Sequence, residues 1–401
     1  MSKITTAVIG AVLAAAGFGL GVYYAQASAP APQCSIDDAP ARLSAGQARA
    51  ALAELVREPA SLANTHLLAD RLADLGPEAV PAILPTLRDP SENLDAARAL
   101  LLLQFWSDRD PEGAVKWAQS NAPFLYRKLA LQLAIERLAQ ADPAAAVRIA
   151  GGDRQVLKPL VRGWVRSGEP GVEDWIRDLG YGGERQMALG AYARAKIRRD
   201  GVEAVIAWVE GLPESEDRYG LEAFRRVTNE LAYADPAAAV AFYEKHKGGP
   251  YGDELASSLA NAWVVGDGPA AMRWLASLPE GKERDGAVVD AVRSWSMADF
   301  ESLHRWEPAA AGEPVPAWFQ PALPVYAKLA GAKKPLEGIP WAERIDDPAV
   351  RTLTLVQIAR RWYQRDPSAA EAWLAQSPLS EPDRVTAKQP FAPPKKTRAE
   401  S

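Results

Sequence analysis

The side chains best suited to acid–base, nucleophilic or metal chemistry are few and scattered. His66, His246 and His304 stand alone: none has a second His or a Cys at metal-ligand spacing, so each reads as a surface or satisfied histidine. There is no Gly-x-Ser-x-Gly elbow, no phosphate-binding P-loop and no calcium loop. Gly17-x-Gly19 falls in an apolar run rather than after a strand. The 51 acidic residues offer many carboxylate pairs, but the best-placed of them are explained as helix caps. The expectation is no catalytic, cofactor-binding or metal-binding residue, and a protein that is not an enzyme. Cys34 is the one cysteine, so no disulfide forms within the chain. Two readings stay open for it, an intermolecular disulfide or an inert linker thiol.

The residues that do recur at fixed spacing are tryptophans. Trp106 and Trp117, eleven residues apart, bracket Asp110-Pro111, and the same frame returns at Trp164…Glu169-Pro170…Trp175, Trp263…Asp267-Gly268…Trp274, Trp295…Asp299-Phe300…Trp306 and Trp362…Asp366-Pro367…Trp373. Weaker copies start at Asp142, Asp200, Asp235 and Lys334, giving a period of mostly 31–35 residues; only Trp318 of the 13 Trp lies outside the frame. Asp accepts a hydrogen bond from the free N–H groups of a helix start, and Pro is preorganised for the first helical position. Each Asp-Pro therefore predicts a new helix, with one Trp at the end of the preceding helix and the other two turns into the next. Short helices then stop at Leu212-Pro213, Leu278-Pro279 and Ser377-Pro378, and an Arg sits fifteen residues before the next Asp, as at Arg127, Arg154, Arg185, Arg284 and Arg351. The prediction is an all-α chain: a right-handed-type α/α solenoid of about ten helical hairpins.

The spacing Asp366-Pro-Ser-Ala-Ala-Glu-Ala-Trp373 resembles the junction between tetratricopeptide repeats, and Leu75-Gly-Pro-Glu-Ala-Val-Pro-Ala-Ile-Leu-Pro-Thr-Leu87 is similar to a HEAT-repeat helix. The period is shorter than the tetratricopeptide one, and Leu-Pro stands where that family carries Leu-Gly-x-x-Tyr. The resemblance covers residues 44–380 and implies a helical-repeat architecture and protein–protein scaffolding.

With 48% apolar and 24% charged residues the chain is of a folding type, and a net charge of −5 without a basic stripe argues against nucleic acid. Residues 4–24 carry no charge, and as a helix they would rise roughly 30 Å, enough to cross a bilayer. Residues 1–24 read either as a transmembrane anchor, with Tyr23 and Tyr24 at an interface, or as a signal peptide ending at Ala25-Gln-Ala27. Both readings export the remainder, so the expected setting is a bacterial inner membrane, single-pass, with the solenoid in the periplasm. Residues 25–43 form a Pro/Ala-rich linker.

Within the array, residues 307–340 break the pattern: Glu313-Pro-Val-Pro-Ala-Trp-Phe-Gln-Pro-Ala-Leu-Pro324 places four prolines where a second helix belongs. Trp318, Phe319 and Tyr326 are candidates for a partner contact, or else fill the gap left by the bent helix. The helix from Asp366 ends at Gln376, and residues 381–401 are predicted to be a disordered tail, which exposes Trp373 and Leu374 as further contact candidates. The expected role is a membrane-tethered scaffold or adaptor binding envelope proteins. The alternative is a cell-wall or polysaccharide-binding helical protein, with glycan cleavage as its enzymatic form, which calls for exposed Trp along a groove with convergent carboxylates.

Overall fold

The structure, a computed structural model, describes residues 61–73 and 96–390 apart from 125, 151, 214–217 and 310–312, together with positions 46, 47, 50, 75 and 80. The expected anchor or signal 1–24, the linker 25–43 with Cys34, most of the HEAT-like stretch 75–87 and residues 391–401 lie outside the described residues. What is described is all-α, with no strand among these residues.

The chain divides into two compact units, Met1–Arg199 and Asp200–Ser401. In the first, α1 (Leu62–Ala73) and α2 (Ala96–Ser107) precede the pairs α3 (Pro111–Ser120) with α4 (Arg127–Ala141), α5 (Pro143–Ala150) with α6 (Leu157–Ser167), and α7 (Val172–Asp178) with α8 (Gly183–Asp200). In the second, α9 (Val202–Glu210) pairs with α10 (Tyr219–Ala234), and α11 (Pro236–His246) leads into α12 (Leu255–Ser277), which is broken at Asp267 into two helices. Then follow α13 (Lys282–Ala298), α14 (Phe300–Arg305), α15 (Leu323–Ala330), α16 (Pro335–Glu343), α17 (Pro348–Tyr363), α18 (Pro367–Gln376) and α19 (Glu381–Lys388). Short helices separate many of the longer ones, and longer helices pack on one another, α4 on α6 and α10 on α12 on α13.

One residue makes each of six junctions. Asp110, Asp142, Asp235, Asp267, Asp299 and Asp366 all adopt φ between −141° and −153° with ψ between 73° and 92°, a single extended residue between two helices. Each carboxylate accepts from the amide three residues on, at 2.8 to 3.0 Å, worth about 1 kcal/mol per cap. The Asp amide meanwhile closes the last turn of the preceding helix, as in Asp110 N–H to Trp106 O at 2.8 Å. That geometry folds the two bracketing rings together: the four Trp pairs across such an Asp have ring centroids 5.6 to 6.3 Å apart, and Trp164 and Trp175 reach 5.8 Å by another route. An Arg near the start of the second helix of a hairpin often ties back to the end of the first. Arg127 donates to Ala122 O at 2.8 Å, Arg351 to Ile345 O at 2.9 Å and Arg384 to Ser377 O at 2.9 Å.

Two predicted starts differ. At Glu169-Pro170 the carboxylate is not the cap: α6 closes on Gly168 and α7 opens on Gly171, both left-handed at φ 79° and 99°. The Trp164 N–H goes to Pro170 O at 3.3 Å instead of to a cap carboxylate. Asp200 is the last residue of α8, and Gly201 at φ 97° opens α9 without a side-chain cap. The predicted tail also needs correction: residues 381–388 are a helix, not disordered. Ser380 caps α19, whose Pro382 sits in the first turn where no amide is needed, and Arg360 on α17 donates to Thr386 O at 2.9 Å.

Candidate functional site

The frame tryptophans serve the fold. Trp106, Trp117 and Trp295 are buried, and the other ten Trp are half-buried. Of the residues expected at a contact surface, Phe319, Tyr326 and Leu374 are core. The irregular segment has no regular structure through Pro314–Pro316, turns as a 3₁₀ helix over Ala317–Phe319 and resumes as α15. Phe319 fills the space so created, with ring centroids 5.5 Å from Trp306, 5.4 Å from Trp318 and 5.8 Å from Tyr326. Burial pushes the Tyr326 phenol up, and its hydroxyl donates to Trp306 O at 3.0 Å. Leu374 is buried on α18, which packs on α17 as α19 does, and Trp373 pairs with Trp362. Trp318, half-buried, keeps part of its ring at the surface.

A cleft of about 180 Å³ forms in the second unit where α9 and α11 end beside the start of α10. Glu210 is the last residue of α9; Lys245 and His246 close α11, where cations favour the negative helix end. Gly248-Gly249-Pro250 stops that helix, and the turn, held by Gly249 N–H to His246 O at 2.9 Å, brings in Tyr251. Gly220 on α10 is the residue that lets Tyr251 in: a Cβ there would stand 2.4 Å from the Tyr251 oxygen. Phe224 lies 4.9 Å from Tyr251 and 5.1 Å from His246 between ring centroids, and Phe242 backs His246 at 4.5 Å. The Glu210 carboxylate accepts from Lys245 Nζ at 2.7 and 2.8 Å and meets His246 Nε2 at 2.8 Å. Partial burial pushes this carboxyl up, but the hydrogen bonds and charges of Lys245 and His246 outweigh it and hold the group below the usual carboxylate range. The cleft thus presents an ionised carboxylate among flat rings, an arrangement that receives a cation.

In the sequence His246 stands alone. The signal that would have found the cleft is register. Glu210 and Lys245 both stand ten residues after their repeat's Asp, Asp200 and Asp235, so stacking one unit on the next makes them neighbours.

A second feature also emerges from register. The residue two before the junction Asp is polar in three repeats, Asp108, Gln140 and Gln364, as the solvated end of a helix should be. In three consecutive repeats it is Tyr233, Val265 and Met297, exposed by 49%, 48% and 82%. Their helices α10, α12 and α13 pack side by side in one unit, so the three residues occupy equivalent points of adjacent helices. Each is followed by a small exposed residue, Ala234, Gly266 or Ala298.

Among the described residues no group of three His, Cys, Asp or Glu is placed to hold a metal ion. Among them, too, no helix is long and apolar enough to cross a membrane; the apolar run 4–24 lies outside them. No known protein family, curated protein or solved structure matches the chain. The all-helical architecture is compatible with a helical-repeat protein.

Proposed function

We propose that the chain is a membrane-tethered, extracytoplasmic α/α solenoid that works as a non-enzymatic scaffold or adaptor for envelope proteins. The observation that carries the reading is the exposed row Tyr233, Val265 and Met297. A repeat array places equivalent residues along one edge, so apolar side chains at three consecutive equivalent positions form a strip rather than scattered exposures. Neighbouring packed helices lie about 8–10 Å apart, so the strip is roughly 20 Å long, the scale of a partner helix of several turns. The glycan reading calls for exposed Trp lining a groove; the frame rings instead sit buried or half-buried in their hairpins. Tethering rests on the uncharged run 4–24.

The test is site-specific photo-crosslinking in the native cell envelope. A photoreactive phenylalanine analogue at 233, 265 or 297 should yield the same crosslinked protein, and the same probe at Gln140 or Gln364 should not. Crosslinks of equal yield at all five positions, or none at the first three, would overturn the reading.

A further inference from the structure

We infer that the cleft between Glu210 and Tyr251 is a guanidinium-binding site that takes an arginine side chain from a partner protein. The source of the arginine rests on the scaffold reading; the chemistry of the site does not.

Three properties of the cleft point to this ligand. Its volume, about 180 Å³, is on the scale of one long side chain rather than a whole small-molecule ligand. Its walls are the flat faces and edges of Phe224, Tyr251 and His246, held against each other at 4.9 to 5.1 Å, which suit a planar cation that stacks. Its polar group is Glu210, whose two oxygens are both reachable from the cleft side: Lys245 Nζ bridges them at 2.7 and 2.8 Å, and His246 Nε2 also holds the first at 2.8 Å, so an incoming cation displaces the lysine and shares that oxygen with the imidazole. A guanidinium presents two parallel N–H groups that match two such oxygens.

Lys245 is the built-in competitor. Its side chain is 60% exposed, so its ion pair with Glu210 is of the surface kind, replaceable at a cost of about threefold in binding. An arriving guanidinium takes the carboxylate and releases the lysine ammonium to water. Gly220 keeps the cleft open by allowing the Tyr251 ring to lie against α10; any side chain there displaces that wall.

The experiment is a ligand-observed NMR titration of the full chain with N-acetyl-arginine methylamide, beside the neutral isostere N-acetyl-citrulline methylamide. The arginine probe should bind with a Kd of about 1 mM, as expected for so small a ligand, and the citrulline probe at least about tenfold more weakly. Lys245→Ala should tighten arginine binding about threefold by removing the competitor, whereas Glu210→Gln should weaken it about tenfold, with thermal melting confirming that both variants fold. Equal binding of the two probes would overturn the proposal, and so would a Lys245→Ala variant that binds arginine no better than the parent. The outcome is separable from that of the scaffold reading. Arginine binding that depends on Glu210 establishes the site even if crosslinking from the apolar row fails, and failure of the probe leaves that row untouched.

Discussion

Trp295 should be the most costly of the frame tryptophans to remove. Among the described residues it is the largest of the fully buried side chains, 2% exposed, and its indole lies 5.6 Å from Trp306 between ring centroids. On its other side it presses on Gly268, where a Cβ would stand 2.2 Å from the ring carbons. This contact explains why the third frame reads Asp267-Gly268-Pro269 rather than Asp-Pro. Removing roughly 200 Å² of buried ring at about 25 cal/mol per Å² forfeits up to about 5 kcal/mol, and aromatic-to-Ala changes in cores cost about 3–5 kcal/mol. Urea unfolding followed by circular dichroism should show Trp295→Ala lowering the midpoint by about 1.5–2.5 M, for a slope near 2 kcal/mol per M. Gly268→Ala alone should cost about 1–3 kcal/mol by driving a methyl into the indole. In the Trp295→Ala background the same change should cost almost nothing, since the ring it meets is gone. Additive losses from the two substitutions, or a Trp295→Ala loss under about 1 kcal/mol, would refute the packing argument.

Other consequences can be checked by the same denaturation assay. Phe319→Ala should lose about 3–5 kcal/mol, because Phe319 sits at the centre of the ring cluster in the irregular segment, while Trp318→Ala on its surface side should lose under about half of that. Asp235→Ala should cost about 1 kcal/mol through the lost bond to the Ala238 amide, and Asp235→Asn should restore most of it. The lowered Glu210 carboxyl implies a pH dependence. Its folded value lies below the unfolded one, so the stability it contributes is complete above the ordinary value of 4.5 and is lost as pH falls through the folded value. The stability gap between the parent and Glu210→Gln should therefore be constant near neutrality and close on acidification below that value; a gap that widens with acid would contradict the assignment.

The repeat was readable because its signals are local. An Asp four residues after one Trp and seven before the next fixes a cap, a turn and a ring pair without help from the rest of the chain, and the junctions at 110, 267, 299 and 366 follow that pattern. Where the sequence offers a competing local device, the reading slipped. Gly168 and Gly171 supply left-handed turns that override Glu169-Pro170, and Ser380 with Pro382 opens a helix in a stretch whose prolines suggested none. The site was less legible because its parts are brought together by stacking. Glu210, Phe224 and Tyr251 belong to three elements, and Gly220 has no recognisable role until Tyr251 is placed against it. For Phe319 and Tyr326 the four prolines left two readings open, a partner contact or the filling of the gap beside a bent helix; both side chains are buried and pack in the ring cluster, as the second reading expects.

The measurement that bears most directly on the scaffold reading compares partner capture by the parent chain and by a Tyr233→Ser/Val265→Ser/Met297→Ser variant. All three residues are exposed, so each change should alter stability by no more than about 0.5 kcal/mol, and the melting temperatures of the two proteins should nearly coincide. In mild-detergent extracts of the envelope, the protein that crosslinks from the row should co-purify with the parent and be lost from the variant. Equal recovery of that protein by an equally stable variant would contradict the central claim.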